Sequence, residues 1–136
     1  THAGIIAGMI GNNAGIPVTG IGVNRKKEAQ QAAVLKLAQE TLDYIGTGVT
    51  MPAEAVVAFD DYVGPGYSLP TDGMVEAVKL LASTESILLD PVYSGKAMAG
   101  LIDLGRKWCW PEGSNVLFLH TGGSPALFAY LDTFRS

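Results

Sequence analysis

Residues 115–128 read NVLFLHTGGSPALF. Four apolar residues in a row, one of them β-branched, predict a buried strand over Asn115–Leu119. That run opens through His120-Thr121-Gly122-Gly123 into a helix predicted from Ala126 to about Phe134, with Ser124 as N-cap and Pro125 in the first position. The N–H groups at such a helix start are free, and the glycines let a ligand approach the main chain. Thr121 adds a hydroxyl. The same residues also make an ordinary strand-to-helix turn, and the two readings are compatible.

Upstream, the chain alternates in the same way. AGIIAGMI (3–10) reads as a helix with small faces, closed by Gly11-Asn12-Asn13. PVTGIGV (17–23) and AVVAF (55–59) read as buried strands. Between them, residues 26–44 have helical periodicity, with Ala29, Ala33, Leu37 and Leu42 on one face, Asn24 as a possible cap and Gly46 as the stop. DDYVGPGYSLP (60–70) is a glycine- and proline-rich loop. Thr71 caps a helix running to about Ser83, with Asp72 in its first turn. Ile87–Leu89 is strand-like, and a further helix is predicted from Lys96 to about Leu104. Strands alternating with helices imply an α/β fold with a mostly parallel sheet. In such sheets ligands bind at strand C-termini, where these Gly/Ser/Thr/Tyr turns lie.

The composition is 48% hydrophobic and 16% charged, which excludes a disordered chain. The net charge of −4, with basic residues clustered only at Arg25-Lys26-Lys27, argues against nucleic acid as a partner. No apolar run reaches membrane-spanning length, so no membrane partner is expected. The lone Cys109 permits no internal disulfide, which fits a reducing compartment, and a cytoplasmic location is the expectation. His2 and His120 lack acidic partners at ligand spacing, so no metal site is expected. Thr1-His2-Ala3-Gly4 enters an apolar run at once, as if the chain began inside a structural element.

DPVYSGKAMAG (90–100) places Tyr93 and Ser94 on a strand-to-helix turn. A tyrosine there is either a proton donor or a ring packed at the sheet edge. Lys96 suggests a Schiff-base lysine, but a solvated lysine at a helix start is the preferred reading. Tyr67, between glycine and proline residues, faces a ligand or covers a core. Cys109 has no His or Asp near it in sequence and is a poor nucleophile candidate.

Taken together, THAGIIAG, GIPVTGIGVNR, GPGYSLPTDGMVEAVKLLASTESILLDPVYSGKAMAGLIDL and PEGSNVLFLHTGGSPALF resemble the pyridoxal-phosphate enzymes that include D-cysteine desulfhydrase and 1-aminocyclopropane-1-carboxylate (ACC) deaminase. The resemblance implies fold type II, the tryptophan synthase β-like three-layer arrangement of a mostly parallel sheet flanked by helices. It implies pyridoxal 5'-phosphate as cofactor, a small amino acid as substrate and a homodimer as the full-length state. It also implies that residues 1–136 are the C-terminal portion of the cofactor-binding catalytic domain. Thr1 then matches the last residue of a phosphate-cradling loop. The Schiff-base lysine and the catalytic serine belong to an upstream portion, and Lys96 does not match that lysine. The 136 residues alone are expected to be inactive. By the same resemblance Tyr67 and Tyr93, 26 residues apart, face the substrate as catalytic residues. Ser94 meets the pyridine nitrogen, and Thr121 and Gly122 form the cofactor-side turn. Gly105-Arg106-Lys107-Trp108-Cys109-Trp110 is more aromatic than the family pattern.

Two positions separate the activities within this family. ACC deaminases typically carry Glu after the Tyr93 equivalent and Leu in place of Thr121, whereas D-cysteine desulfhydrases carry Ser or Thr and then Thr. Ser94 and Thr121 therefore resemble the desulfhydrase, which converts D-cysteine to pyruvate, hydrogen sulfide and ammonia. ACC deamination, L-cysteate sulfo-lysis and a non-catalytic small-molecule-binding α/β module are the rival expectations. No G-x-G-x-x-G follows a strand to support a nucleotide-binding module.

Overall fold

A computed structural model describes residues 1–107 and 109–135, which form two compact units dividing between Asp60 and Asp61. The expected peculiarity around Trp108 lies outside the described residues.

In the first unit, α1 (His2–Gly11) packs on α2 (Lys27–Tyr44). Their contact buries Ala3, Ile6 and Ala7 against Val34, Ala38 and Leu42, with Met51 and Val56 completing the core. The buried stripe of α2 thus runs through Val34, Ala38 and Leu42 at i, i+4 and i+8. Ala29 and Leu37, expected on that face, are exposed. Asn24 does not cap α2; Lys26 holds the N-cap position without a side-chain bond. The C-terminus closes as predicted. Gly46 has φ +71°, its N–H donates to Asp43 O, and Thr47 N–H donates to Leu42 O. This double bond pattern is a Schellman motif, which needs a residue tolerant of positive φ at this place.

β1 (Thr19–Ile21) and β2 (Val57–Phe59) pair in parallel, with Thr19 opposite Val57 and Ile21 opposite Phe59. Both are shorter than the predicted strands and lie inside them. Gly20 has no side chain because the His2 ring occupies that space: a Cβ there would meet its Cε1 at 2.4 Å.

The second unit is built on α3 (Asp72–Glu85) and α4 (Ser94–Arg106). Met74, Ala77 and Val78 of α3 bury against Leu89, Met98 and Ala99, and Phe118, Leu127 and Phe134 pack at the edge of this cluster. Thr71 caps α3 as expected, with Oγ1 accepting the Met74 N–H at 3.2 Å. The structure departs from expectation at residues 87–89 and 115–119, neither of which is a strand. A strand exists through its ladder, and nothing among the described residues pairs with either segment. Leu117 is 91% exposed where a buried position was predicted. The last helix also differs: a 3₁₀ helix, Ser124–Tyr130, leads into a single α-turn, α5 (Leu131–Phe134). Gly123, at φ +98°, takes the N-cap position in place of Ser124.

The observed class is α/β, and the strand pairing among the described residues is parallel. No helix among the described residues is long and apolar enough to cross a membrane.

Candidate active site

The centre of the second unit's polar architecture is Asp90, which is 1% exposed. Its Oδ2 accepts the N–H groups of Val92 (2.8 Å) and Tyr93 (2.7 Å). Its Oδ1 accepts the Ser94 N–H (2.7 Å) and the Ser94 hydroxyl (2.6 Å). The Asp90-Pro91 pair explains this locally. An aspartate followed by proline is a helix-start pattern, with the carboxylate satisfying the first N–H groups and the proline contributing none. Burial pushes the Asp90 carboxyl up, but the donors from Ser94, Tyr93 and Val92 outweigh it and hold the group below the usual carboxylate range. The sequence signal for Asp90 was therefore present, though its weight was not read.

This cap fixes two of the expected site residues. Ser94 is 3% exposed and its only hydroxyl proton goes to Asp90; its oxygen also accepts the Asp90 N–H at 2.8 Å. What Ser94 has left for a ligand is a neutral acceptor lone pair. Tyr93 points outward, 49% exposed, and its hydroxyl bonds to that of Tyr67, itself 46% exposed. The rings meet edge to face, with centroids 6.0 Å apart and planes at 67°. The bond to Tyr67 raises the Tyr93 pKa, with partial desolvation and the charge of Asp90 adding to it. Tyr93 is therefore held in its protonated, neutral form, with its hydroxyl engaged by Tyr67.

The turn 120–124 docks beside the same aspartate. A Cβ on Gly123 would lie 2.9–3.0 Å from the Asp90 side chain, so the backbone approaches the carboxylate where no other residue fits. Leu88 O accepts from Ser124 Oγ at 2.9 Å and lies 2.9 Å from His120 Nε2. Gly122 N–H donates to His120 Nδ1 at 2.9 Å. Nδ1 is thus an acceptor without a proton, and the neutral ring carries its proton on Nε2 and donates it to Leu88 O. His120 therefore ties the turn down, a role the sequence did not indicate. Thr121 and Gly122 are exposed at its tip, and the space where Gly122 would carry a Cβ is open.

The structure therefore brings five expected residues into one unit: Tyr67, Tyr93, Ser94, Thr121 and Gly122. Thr1 belongs to the other unit, where it is exposed and holds the N-cap position of α1 without a side-chain cap bond. Lys96 is a correction. It is fully buried and not solvated, with Nζ donating to Val63 O (2.7 Å) and Gly66 O (3.0 Å). Its position in the first turn of α4 suggested solvent. The loop 63–66 covers it instead.

A planar cofactor fits the donor set of this second unit. Open space beside Gly122, an exposed Thr121 and two half-exposed phenols leave room for a planar ring and polar groups, with the buried Ser94 oxygen keeping one free lone pair.

Comparison with known proteins points the same way. The family model described as pyridoxal-phosphate dependent enzyme matches residues 1–122. The ACC deaminase of Pseudomonas syringae pv. syringae (strain B728a) is 44% identical over 135 residues, covering 99% of this chain and 40% of that protein. The ACC deaminase of Methylobacterium nodulans is 41% identical, covering 100% of this chain and 40% of that protein. A crystal structure of an ACC deaminase homologue superposes with a TM-score of 0.86 at 34% identity, covering 98% of this chain and 39% of that one. The chain thus spans about 40% of the length of the relatives it matches. With a family model covering most of its residues, the chain belongs to the pyridoxal-phosphate dependent enzymes.

Proposed function

We propose that the whole protein eliminates sulfide from D-cysteine, giving pyruvate, hydrogen sulfide and ammonia with uptake of one water. The observation that carries this reading is the state of Ser94. Its single proton is committed to Asp90, and Asp90's carboxylate is itself engaged by four donors. Position 94 therefore offers a ligand a neutral acceptor and no carboxylate.

Pyridoxal phosphate, when bound, supplies a ring that takes up negative charge from the substrate's α-carbon. A carboxylate at the ring nitrogen would hold a proton there and deepen that sink, as opening a cyclopropane requires. A neutral serine oxygen deepens it less, which is sufficient when the leaving group is a thiolate. Tyr93, protonated through the neutral range, is the proton donor or orienting group on the substrate side, with Tyr67 as its partner. Gly122 and Thr121 border the cofactor. The Schiff-base lysine belongs to the upstream portion of the protein, so residues 1–136 alone are inactive and the dimeric full-length protein is the working form.

A second reading, ACC deamination to 2-oxobutanoate and ammonia, is favoured by the names of the relatives, which are ACC deaminases at 39–44% identity. By name alone it is the better supported of the two. The full-length protein incubated separately with D-cysteine, ACC and L-cysteate decides between them. Sulfide and pyruvate from D-cysteine are expected. Release of 2-oxobutanoate without sulfide establishes the second reading, and release of sulfite from L-cysteate refutes both.

A further inference from the structure

We propose that Lys96 is a positioning residue that holds Tyr67 against Tyr93 by clamping the main chain of the loop 63–66. This rests on the reading that Tyr67 and Tyr93 face the substrate. Lys96 stands three residues after Tyr93, at the start of α4. Its side chain is fully buried, and its ammonium donates to two carbonyls, Val63 O at 2.7 Å and Gly66 O at 3.0 Å. Gly66 immediately precedes Tyr67. The start of α4 therefore carries, at its N-cap and in its first turn, both a phenol of the pair and the cation that anchors the other phenol's loop.

The loop has few other means of holding this shape. It is glycine- and proline-rich, with Gly64 at φ +67° and Ser68 at φ +62°. Among the described residues it is also tied by the Tyr67–Tyr93 hydroxyl bond, the Leu69 N–H to Gly66 O at 3.3 Å and the Tyr130 hydroxyl to Ser68 O at 2.8 Å. A buried ammonium is costly unless its donors are satisfied, and the two converging main-chain carbonyls take two of its three. Burial lowers the Lys96 pKa, as expected for a cation partnered by neutral dipoles and not by a carboxylate. The two Nζ–carbonyl bonds offset part of the cost of burying it, and through them the ammonium holds the loop main chain next to Tyr67. The product of that fixation is the Tyr67–Tyr93 hydroxyl contact.

The test is Lys96→Met, similar in bulk but without donors, in the full-length holoenzyme. Two readouts are compared with wild type and with Tyr67→Phe. One is the titration of the Tyr93 ¹³Cζ resonance, assigned by its loss in Tyr93→Phe. The other is kcat/KM on whichever substrate the protein turns over. With the clamp gone, the raised Tyr93 titration falls to where Tyr67→Phe places it. At the same time kcat/KM drops on the order of 100-fold, the loss expected from a misplacement of about 1 Å. An unchanged Tyr93 titration in a folded Lys96→Met protein overturns the proposal, whatever happens to the rate. If Lys96→Met does not fold, Lys96→Gln is read in the same way. Failure of both variants to fold also overturns the proposal, since it makes Lys96 a determinant of the core and not of the loop. The titration needs no substrate, so an error in the assigned activity leaves this result intact.

Discussion

Replacing Asp90 by asparagine tests whether a charged carboxylate organises the site. Asp90 accepts four hydrogen bonds at 2.6–2.8 Å, two on each oxygen. An asparagine has one acceptor oxygen. With its amide nitrogen at the Oδ2 place, the N–H groups of Val92 and Tyr93 face another donor. With it at the Oδ1 place, the Ser94 N–H does. Either orientation strands at least one backbone N–H beside a side chain that is 1% exposed, and the surviving bonds lose their charge assistance. A hydrogen bond to a charged group contributes about 1.5–3 kcal/mol and a neutral one about 0.5–1.5. One lost and two weakened bonds together cost about 5 kcal/mol. Unfolding entropy is about 2.1 cal/mol/K per residue, and a protein of the relatives' size has roughly two and a half times the residues present here, so the melting midpoint falls by about 7 °C. The assay is a thermal scan of the full-length protein and Asp90→Asn at one scan rate, at neutral pH and in acid. The Asp90 pKa is lowered on folding, so its contribution is complete above the unfolded value, near 3.8. It is lost as pH falls through the still lower folded value. The gap between the two proteins is therefore wide at pH 7 and narrows below about pH 4. A midpoint shift under about 1 °C at pH 7, or a gap that widens in acid, refutes the charged-cap account.

Gly95→Ala sets two effects against each other: alanine favours a helix by about 1 kcal/mol, but its Cβ would lie 2.6 Å from Asp90 O and 3.0 Å from Met74 Cγ and Val78 Cγ2. Overpacking against backbone wins, and chemical denaturation should show a net loss of about 2 kcal/mol. Gly123→Ala combines φ +98° with a Cβ 2.9 Å from Asp90 Cγ. The turn must move to relieve it, so cofactor affinity, measured by fluorescence titration of the full-length apoprotein, weakens about tenfold, equivalent to ~1.4 kcal/mol. Thr71→Ala removes the α3 cap bond to Met74 N–H and should lower stability by about 1 kcal/mol, with Thr71→Ser restoring most of it.

The helices were legible because their signals are local. Thr71 before an amphipathic run and Gly46 after one mark their ends within a few residues, and both behave as read. Helix faces were less legible where small apolar residues blur the period. Alanine contributes little to choosing a face, and in α2 the apolar pattern points to Ala29 and Leu37 while Val34 and Ala38 are the buried residues. The segment 115–119 failed for another reason. Its apolar pattern says what such a segment does beside neighbours, but a ladder needs a partner strand, and no pattern within five residues supplies one.

Lys96 shows the same limit from the polar side. Nothing within a turn of it announces burial, because its acceptors lie 30 and 33 residues upstream, in a loop whose backbone converges only after folding. Asp90, by contrast, was spelled out by the Asp-Pro pair, yet its importance depends on Gly123 approaching from the far side. The residues proposed around Tyr93 and Gly122 could be named from the sequence because their chemistry is in their side chains or their absence. The residues that hold them, Asp90, Lys96 and His120, act mainly through main-chain groups, which every residue possesses. Sequence identity thus exposes what a site presents to its ligand more readily than what keeps that presentation in place, and the latter is where substitutions outside the tyrosine pair should have their largest effects.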